Sequence, residues 1–156
     1  MTQDPQSFIV CPNLIIMREG KILLFRRADW AHLLPSYWHV PTGKIETGES
    51  PKQTIVREAF EEVGLTINPD LGTVVAGKAP SYENPDLIWR DVSLFFVIKD
   101  FEGEPINKEP RLHDVMEWFD VNHLPEPIIP VVKVGIEQYL KNEIYGEFGY
   151  DQVPVQ

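Results

Sequence analysis

The chain has a single cysteine, Cys11, among 156 residues, so no internal disulfide can form. A reducing, cytoplasmic setting is the reading that follows. No apolar run approaches the ~18 residues that a membrane span requires, so no membrane partner is expected. The opening MTQDPQSF has neither a basic stretch nor an apolar one behind it, and no signal peptide is expected there. Positive charge is scarce as well: 14 Lys and Arg stand against 24 Asp and Glu, a formal net charge of -10. Non-specific binders of nucleic acid need Lys and Arg to displace counterions from phosphates, so a nucleic-acid polymer is not the expected partner. A small phosphorylated molecule stays open, provided a cation mediates the contact. No repeat, low-complexity tract or long linker divides the sequence, and its length suits one domain, 1–156.

What is present is an alternation of strand-like and helix-like stretches. Strands are expected at Phe8 to Met17, Ile22 to Phe25, Tyr37 to Val40, Gly72 to Gly77, Leu87 to Lys99 and Val115 to Asp120. Arg18 to Lys21 reads as the turn between the first two, and Ala28 to Ser36 as a loop. Ser50 has the character of a helix N-cap, with Pro51 in the first helical position and Gln53 completing a capping box. Gly64 stands where a helix C′ residue belongs. Pro130 to Leu140 reads as a second, amphipathic helix, and the YGEFGY that follows reads only as a packed tail. The order of elements gives an α+β fold, a mixed sheet with a helix on each face.

The first helix carries an unusual load. At about 100° per residue, Ile55, Val56, Ala59, Phe60 and Val63 fall on the face to be buried. Glu58, Glu61 and Glu62 are related by i+3 and i+4 steps and share another face. Like charges at that spacing repel, so the arrangement costs stability unless something positive sits between them. A solvated acidic face is one reading. The other is a hard divalent cation such as Mg²⁺, which takes oxygen ligands, keeps several waters and needs only a few carboxylates beside a substrate phosphate. The surrounding residues decide between them. Gly43 to Leu65 fits G-x5-E-x7-R-E-U-x-E-E-x-G-U without a gap, with U apolar and with Gly43, Glu49, Arg57, Glu58, Glu61, Glu62 and Gly64 as its fixed identities. At a background of about one in fifteen for each, a chance match is on the order of 10⁻⁸ per start position.

This stretch resembles the signature of the Nudix hydrolases. The resemblance implies a three-layer α/β/α sandwich around a central mixed sheet, with the box at 43–65. It implies Mg²⁺ as cofactor, with Mn²⁺ as a substitute, held by Glu58, Glu61, Glu62 and the carbonyl of Thr42. Members of the family usually have glycine at that last position, and a β-branched residue serves there only if its φ is negative. Gly43 is expected to let the backbone turn tightly before the helix. Arg57 is implied to pair with Glu49 and tie the loop to the helix, although Glu61 is within its reach at i+4.

Outside the box, RRADWAHLL at Arg26 to Leu34 resembles the MutT-like branch, which cleaves nucleoside triphosphates. There Arg27 would contact phosphate, with Arg26 as its neighbour; a solvated pair is the alternative. FEGEP, at Phe101 to Pro105, is similar to the same branch as a strand-end turn. A further carboxylate, metal ligand or general base, is implied before the late strand, with Asp114 first and Glu109 second, so that Glu58, Glu61 and Asp114 form the catalytic set. His113 is read as a solvated loop residue or a proton carrier, and His39 as structural. Trp38, Trp89, Trp118 and Phe119 could stack a base, most of them serving as core instead. Pro80 and Tyr82 stand where the resemblance puts residues of two different substrate classes, ADP-ribose and dinucleoside polyphosphates. Ile128 stands where enzymes acting on oxidised guanine nucleotides have asparagine.

The implied activity is hydrolysis of a nucleoside diphosphate linked to another moiety, in the first place a nucleoside triphosphate giving monophosphate and pyrophosphate. A nucleotide sugar or dinucleoside polyphosphate is the second reading. A non-catalytic nucleotide-sensing domain is the third, and such domains usually lose box glutamates, which are all present here. The sequence leaves the oligomeric state open, a homodimer included.

Overall fold

A computed structural model describes residues 7–150. The chain begins with an antiparallel hairpin of β1 (Ile9–Arg18) and β2 (Lys21–Arg27). Its two-residue turn has Glu19 and Gly20 at φ 52° and 75°, the left-handed conformation that tight hairpins need. Only Met17 and Arg18 of β1 pair with β2 there; the residues before them, from Ile9 to Ile16, run parallel to β5 (Ile88–Ile98). Next to β2 lie β3 (Trp38–His39) and, across its length, β6 (His113–Asp120). On the other side of β5 come β4 (Asp70–Pro80) and then β7 (Tyr145–Phe148), which runs parallel to β4. Among the described residues, the result is one mixed sheet of seven strands.

Period-2 alternation makes two cores from these strands. Leu14, Ile16, Leu23, Phe25, Phe96 and Ile98 pack against Ile55, Ala59 and Val63 of α1 (Pro51–Val63). Their neighbours Ile15, Ile22, Leu24, Phe95 and Val97 face the other way, onto Val132 and Ile136 of α2 (Pro130–Leu140). The sandwich is the expected one, with a helix on each face. Among the described residues, no helix is long and apolar enough to cross a membrane.

The helix signals hold in detail. Ser50 accepts from the Gln53 amide, Gln53 accepts from the Ser50 amide, Pro51 opens α1, and Gly64 ends it at φ 72°. Two expectations fail. Phe60 is 56% exposed instead of buried, and Glu62 is buried in its place. The cause is the loop at 106–109, which lies along that side of α1: the Ile106 and Lys108 amides donate to the Val63 and Glu62 carbonyls, and the Lys108 ammonium sits over the Phe60 ring. The tail is also more than a tail, since YGEF forms β7. Gln138 holds that edge from α2 by donating to the Val74 carbonyl, and a Cβ on Gly146 would run into the Gln138 amide.

Candidate active site

The box is organised around Arg57, whose guanidinium reaches five acceptors. Nε and Nη2 donate to the two Glu49 oxygens at 2.6 and 3.1 Å, and Nη2 also donates to the Lys44 carbonyl at 3.0 Å. Nη1 donates to Glu58 and Glu61 at 2.8 and 3.2 Å. Thr54 adds a bond to Glu49 at 2.8 Å. The Arg57 hydrogen bonds hold the Glu49 carboxyl down at about 2. Loop and helix are thereby fastened at one point.

Glu58 and Glu62 sit in the opposite situation. Burial pushes the Glu58 carboxyl above the usual carboxylate range, against the pull of Arg57. Gly43 is part of the reason that Glu58 fits at all: a Cβ at position 43 would occupy the same space as the Glu58 carboxylate. No positive φ is involved, so close approach and not a tight turn demands the glycine. Glu62 is 6% exposed, and its Oε2 has no hydrogen-bond partner. Burial first, then the charges of Glu58, Glu109 and Glu61, raise its carboxyl to about 9; only the Thr42 backbone works against them. Thr42 itself has no positive φ, and its hydroxyl donates to the Pro12 carbonyl at 2.7 Å. The condition for a threonine at this position is met.

Glu62, Thr42, Arg27 and Glu109 line one cavity of about 340 Å³. Arg27 is fixed there by its Nε donating to the Leu33 carbonyl at 2.7 Å. Arg26 is directed elsewhere: it grips Asp114 with two bonds of 3.0 and 2.9 Å, which pull the Asp114 carboxyl below its usual range. Asp114 is not among the cavity's lining residues, whereas Glu109, ranked second in the sequence reading, is. The β2–β6 register shifts between Arg26 and Arg27, which separates the fates of the two arginines.

Two histidines close the same cavity. His39 Nδ1 meets the Val40 carbonyl at 2.9 Å, which only accepts, so the proton is on Nδ1 and Nε2 presents a bare lone pair. His113 is buried, not solvated, with its ring centroid 4.9 Å from that of His39. Burial depresses both, to about 3 and about 4, so neither carries charge at neutral pH. His39 Nε2 and His113 Nδ1 lack partners, as Glu62 Oε2 does. A larger hollow of about 1170 Å³ lies between Arg18, Gly64 and Phe101, but it holds none of the box glutamates, and Arg18 is engaged by Glu104. Trp38 is buried, and Trp118 and Phe119 pack on the two cores; Trp89 alone of the four aromatics stays exposed, at 43%.

A family model described as the NUDIX domain matches residues 10–138. The chain belongs to the Nudix family. It is 35% identical over 130 residues to the 8-oxo-dGTP diphosphatase of Escherichia coli K12, covering 80% of this chain and 95% of that one. It is 32% identical over 163 residues to the RNA pyrophosphohydrolase of Brucella ovis, covering 86% and 88%. A crystal structure of a MutT NUDIX hydrolase from Burkholderia pseudomallei superposes with a TM-score of 0.73 at 27% identity, covering 85% of this chain and 98% of that one. This Nudix protein is therefore a MutT-like hydrolase that acts on pyrophosphate bonds in nucleotide diphosphate-linked substrates.

Nudix hydrolases generally use a divalent metal. Among the described residues, no three acidic, histidine or cysteine side chains already converge as a ligand set, and Arg57 Nη1 lies between Glu58 and Glu61. The donor chemistry still fits a hard cation. It consists of carboxylate oxygens and a backbone carbonyl, and the buried Glu62 oxygen without a partner is a group that an ion would satisfy.

Proposed function

We propose that the protein is a Mg²⁺-dependent nucleoside triphosphate pyrophosphohydrolase, giving the monophosphate and pyrophosphate. The observation that carries this reading is Glu62: a buried carboxylate oxygen without a partner, in a cavity shared with Arg27, Thr42 and Glu109. Glu58, Glu61, Glu62 and the Thr42 carbonyl hold the ion, with Mn²⁺ as a substitute. A divalent cation bound there would neutralise charge on the phosphates and make a nearby water more acidic. Arg27 grips a phosphate and so orients the chain. Glu109 takes the proton of the attacking water, a role that its place in the cavity supports better than that of Asp114, which is bound to Arg26. Water adds to one phosphorus, and the bridging P–O bond breaks toward the pyrophosphate. The neutral histidines and Leu112 line that cavity.

The E. coli relative's substrate is not the one favoured here. Ile128 is buried beside Trp38, and it offers no amide to an oxidised guanine. We expect less than roughly a hundredfold preference in kcat/KM for 8-oxo-dGTP over dGTP, and a thousandfold preference would contradict this. The Brucella relative raises a second reading, a triphosphorylated RNA end, which the net charge of -10 disfavours. The deciding experiment incubates the purified protein with nucleoside triphosphates, 8-oxo-dGTP, ADP-ribose and 5′-triphosphorylated RNA, with Mg²⁺ or with EDTA. Monophosphate and pyrophosphate formed only with the metal support the proposal; turnover in EDTA, or of RNA alone, overturns it.

A further inference from the structure

Glu109, which takes the proton of the attacking water in the proposed reaction, stands on a stretch outside any helix or strand, just before β6. A side chain on such a loop serves a reaction only if something fixes it against the carboxylates of α1. Lys108 ties the loop to the helix twice. Its amide donates to the Glu62 carbonyl at 3.0 Å, so Glu109 follows directly on the residue whose backbone is bound to Glu62. Its ammonium donates to the Phe60 carbonyl at 3.2 Å and lies 4.5 Å from the centroid of the Phe60 ring. α1 has no basic residue in its last turn, at the negative end of the helix dipole, and Lys108 supplies that cation from the loop.

Asn107 ties the same loop to β6. Its Nδ2 donates to the His113 carbonyl at 2.7 Å, and its Oδ1 accepts from the Glu109 amide at 3.2 Å. A carbonyl only accepts, so the side-chain amide has one orientation. The Glu109 carbonyl in turn accepts from the Leu112 and His113 amides, both at 3.0 Å. Glu109 is thus strung between the end of α1 and the start of β6, where its charge acts on Glu58 and Glu62. Resting on the assignment of Glu109 above, we infer that Asn107 and Lys108 are positioning residues, which together set the place of the Glu109 carboxylate against Glu58, Glu61 and Glu62. Neither lines the carboxylate cavity, and each acts through Glu109.

A double-mutant cycle tests this, with the nucleoside triphosphate that the wild type turns over fastest. Asn107→Ala should lower kcat by about tenfold and leave KM within about threefold, because a displaced base slows the chemistry and not the binding. In the Glu109→Gln background the same substitution should change kcat by less than about twofold, since no base is left to position. Lys108→Met should lower kcat by about threefold, and Lys108→Arg, which keeps the cation over Phe60, should restore it. Thermal melts confirm that the variants fold. Amide hydrogen exchange reads the anchor without turnover: Asn107→Ala should speed exchange at the Glu109 amide by about tenfold, while the β1 amides keep their protection. If Glu109→Gln alone keeps full kcat, the base assignment falls, and this inference falls with it. If Glu109→Gln is slow but Asn107→Ala lowers kcat by the same factor in both backgrounds, or leaves exchange at Glu109 unchanged, the positioning alone is overturned.

Discussion

Glu49 and Glu62 belong to one short segment and have the same side chain, yet their surroundings drive them in opposite directions. Glu49 receives Arg57, Thr54 and the Glu46 amide, and its carboxyl is held at about 2. Glu62 has an oxygen with no partner and three other carboxylates acting on it, and its carboxyl rises to about 9. The first has every interaction a carboxylate can use within the protein. The second has an oxygen free for a group from outside the chain, the metal ion of the proposal. A box that looks uniform as a string of acids therefore divides into a fastening and a receptor.

The sharpest way to break the comparison is to neutralise each acid in turn. Glu62→Gln should lower kcat by about a thousandfold or more if it removes the proposed metal ligand, while the fold persists. Glu49→Gln should lower kcat far less and should instead reduce Tm. Steady-state kinetics and a melt on both variants check this, and equal kinetic losses would end the distinction.

The arginines give the next contrast. If Arg27 holds phosphate as proposed, Arg27→Ala should raise KM by about tenfold for every substrate accepted, because a phosphate contact does not read the base. Arg26→Ala, which only frees Asp114, should change KM by less than about threefold. If Arg26→Ala has the larger effect, the phosphate contact belongs to the other arginine.

At the fastening itself, Arg57→Ala should lower Tm by roughly 3–6 °C. Arg57→Lys should recover little of that loss, because an ammonium cannot reproduce a planar fork that reaches Glu49, Glu58 and Lys44 together. Full recovery by lysine would mean that charge alone fastens the loop.

The last contrast is in stability against pH in EDTA. The folded Glu62 carboxyl keeps its proton more tightly than the unfolded one, so its contribution is greatest below about pH 4.5 and is lost as pH rises toward about 9. Across that window the loss is at most ~1.4 kcal/mol per pH unit, and Glu62→Gln should flatten it. Glu49 has the reverse sign: its tie is present above about pH 4.5 and disappears as pH falls toward about 2. A wild-type profile that Glu62→Gln leaves unchanged would remove the basis of the contrast.

Features set by neighbours in sequence were legible in advance. Ser50, Pro51, Gln53 and Gly64 specify the ends of α1 through local hydrogen bonds. What escaped depends on partners far along the chain. Phe60 and Glu62 exchange their expected exposures because the loop at 106–109 covers one side of α1. His113 is buried by a neighbour in β3, and Asp114 is engaged by an arginine of β2. The four residues of β7 are too few to show a period, and they find their place only against β4. Gly43 was recognised in the motif, but its purpose, room for the Glu58 carboxylate, is visible only in three dimensions.

The most direct test of the receptor reading is the proton count on metal binding. Calorimetric titration of Mg²⁺ at pH 7.5, repeated in buffers of different ionisation enthalpy, measures the protons released. Because Glu62 is protonated at that pH in the metal-free protein and must ionise to become a ligand, the wild type should release about one proton per ion and Glu62→Gln close to none. Equal release by both proteins, or tight Mg²⁺ binding by the wild type with no proton released, would contradict the account.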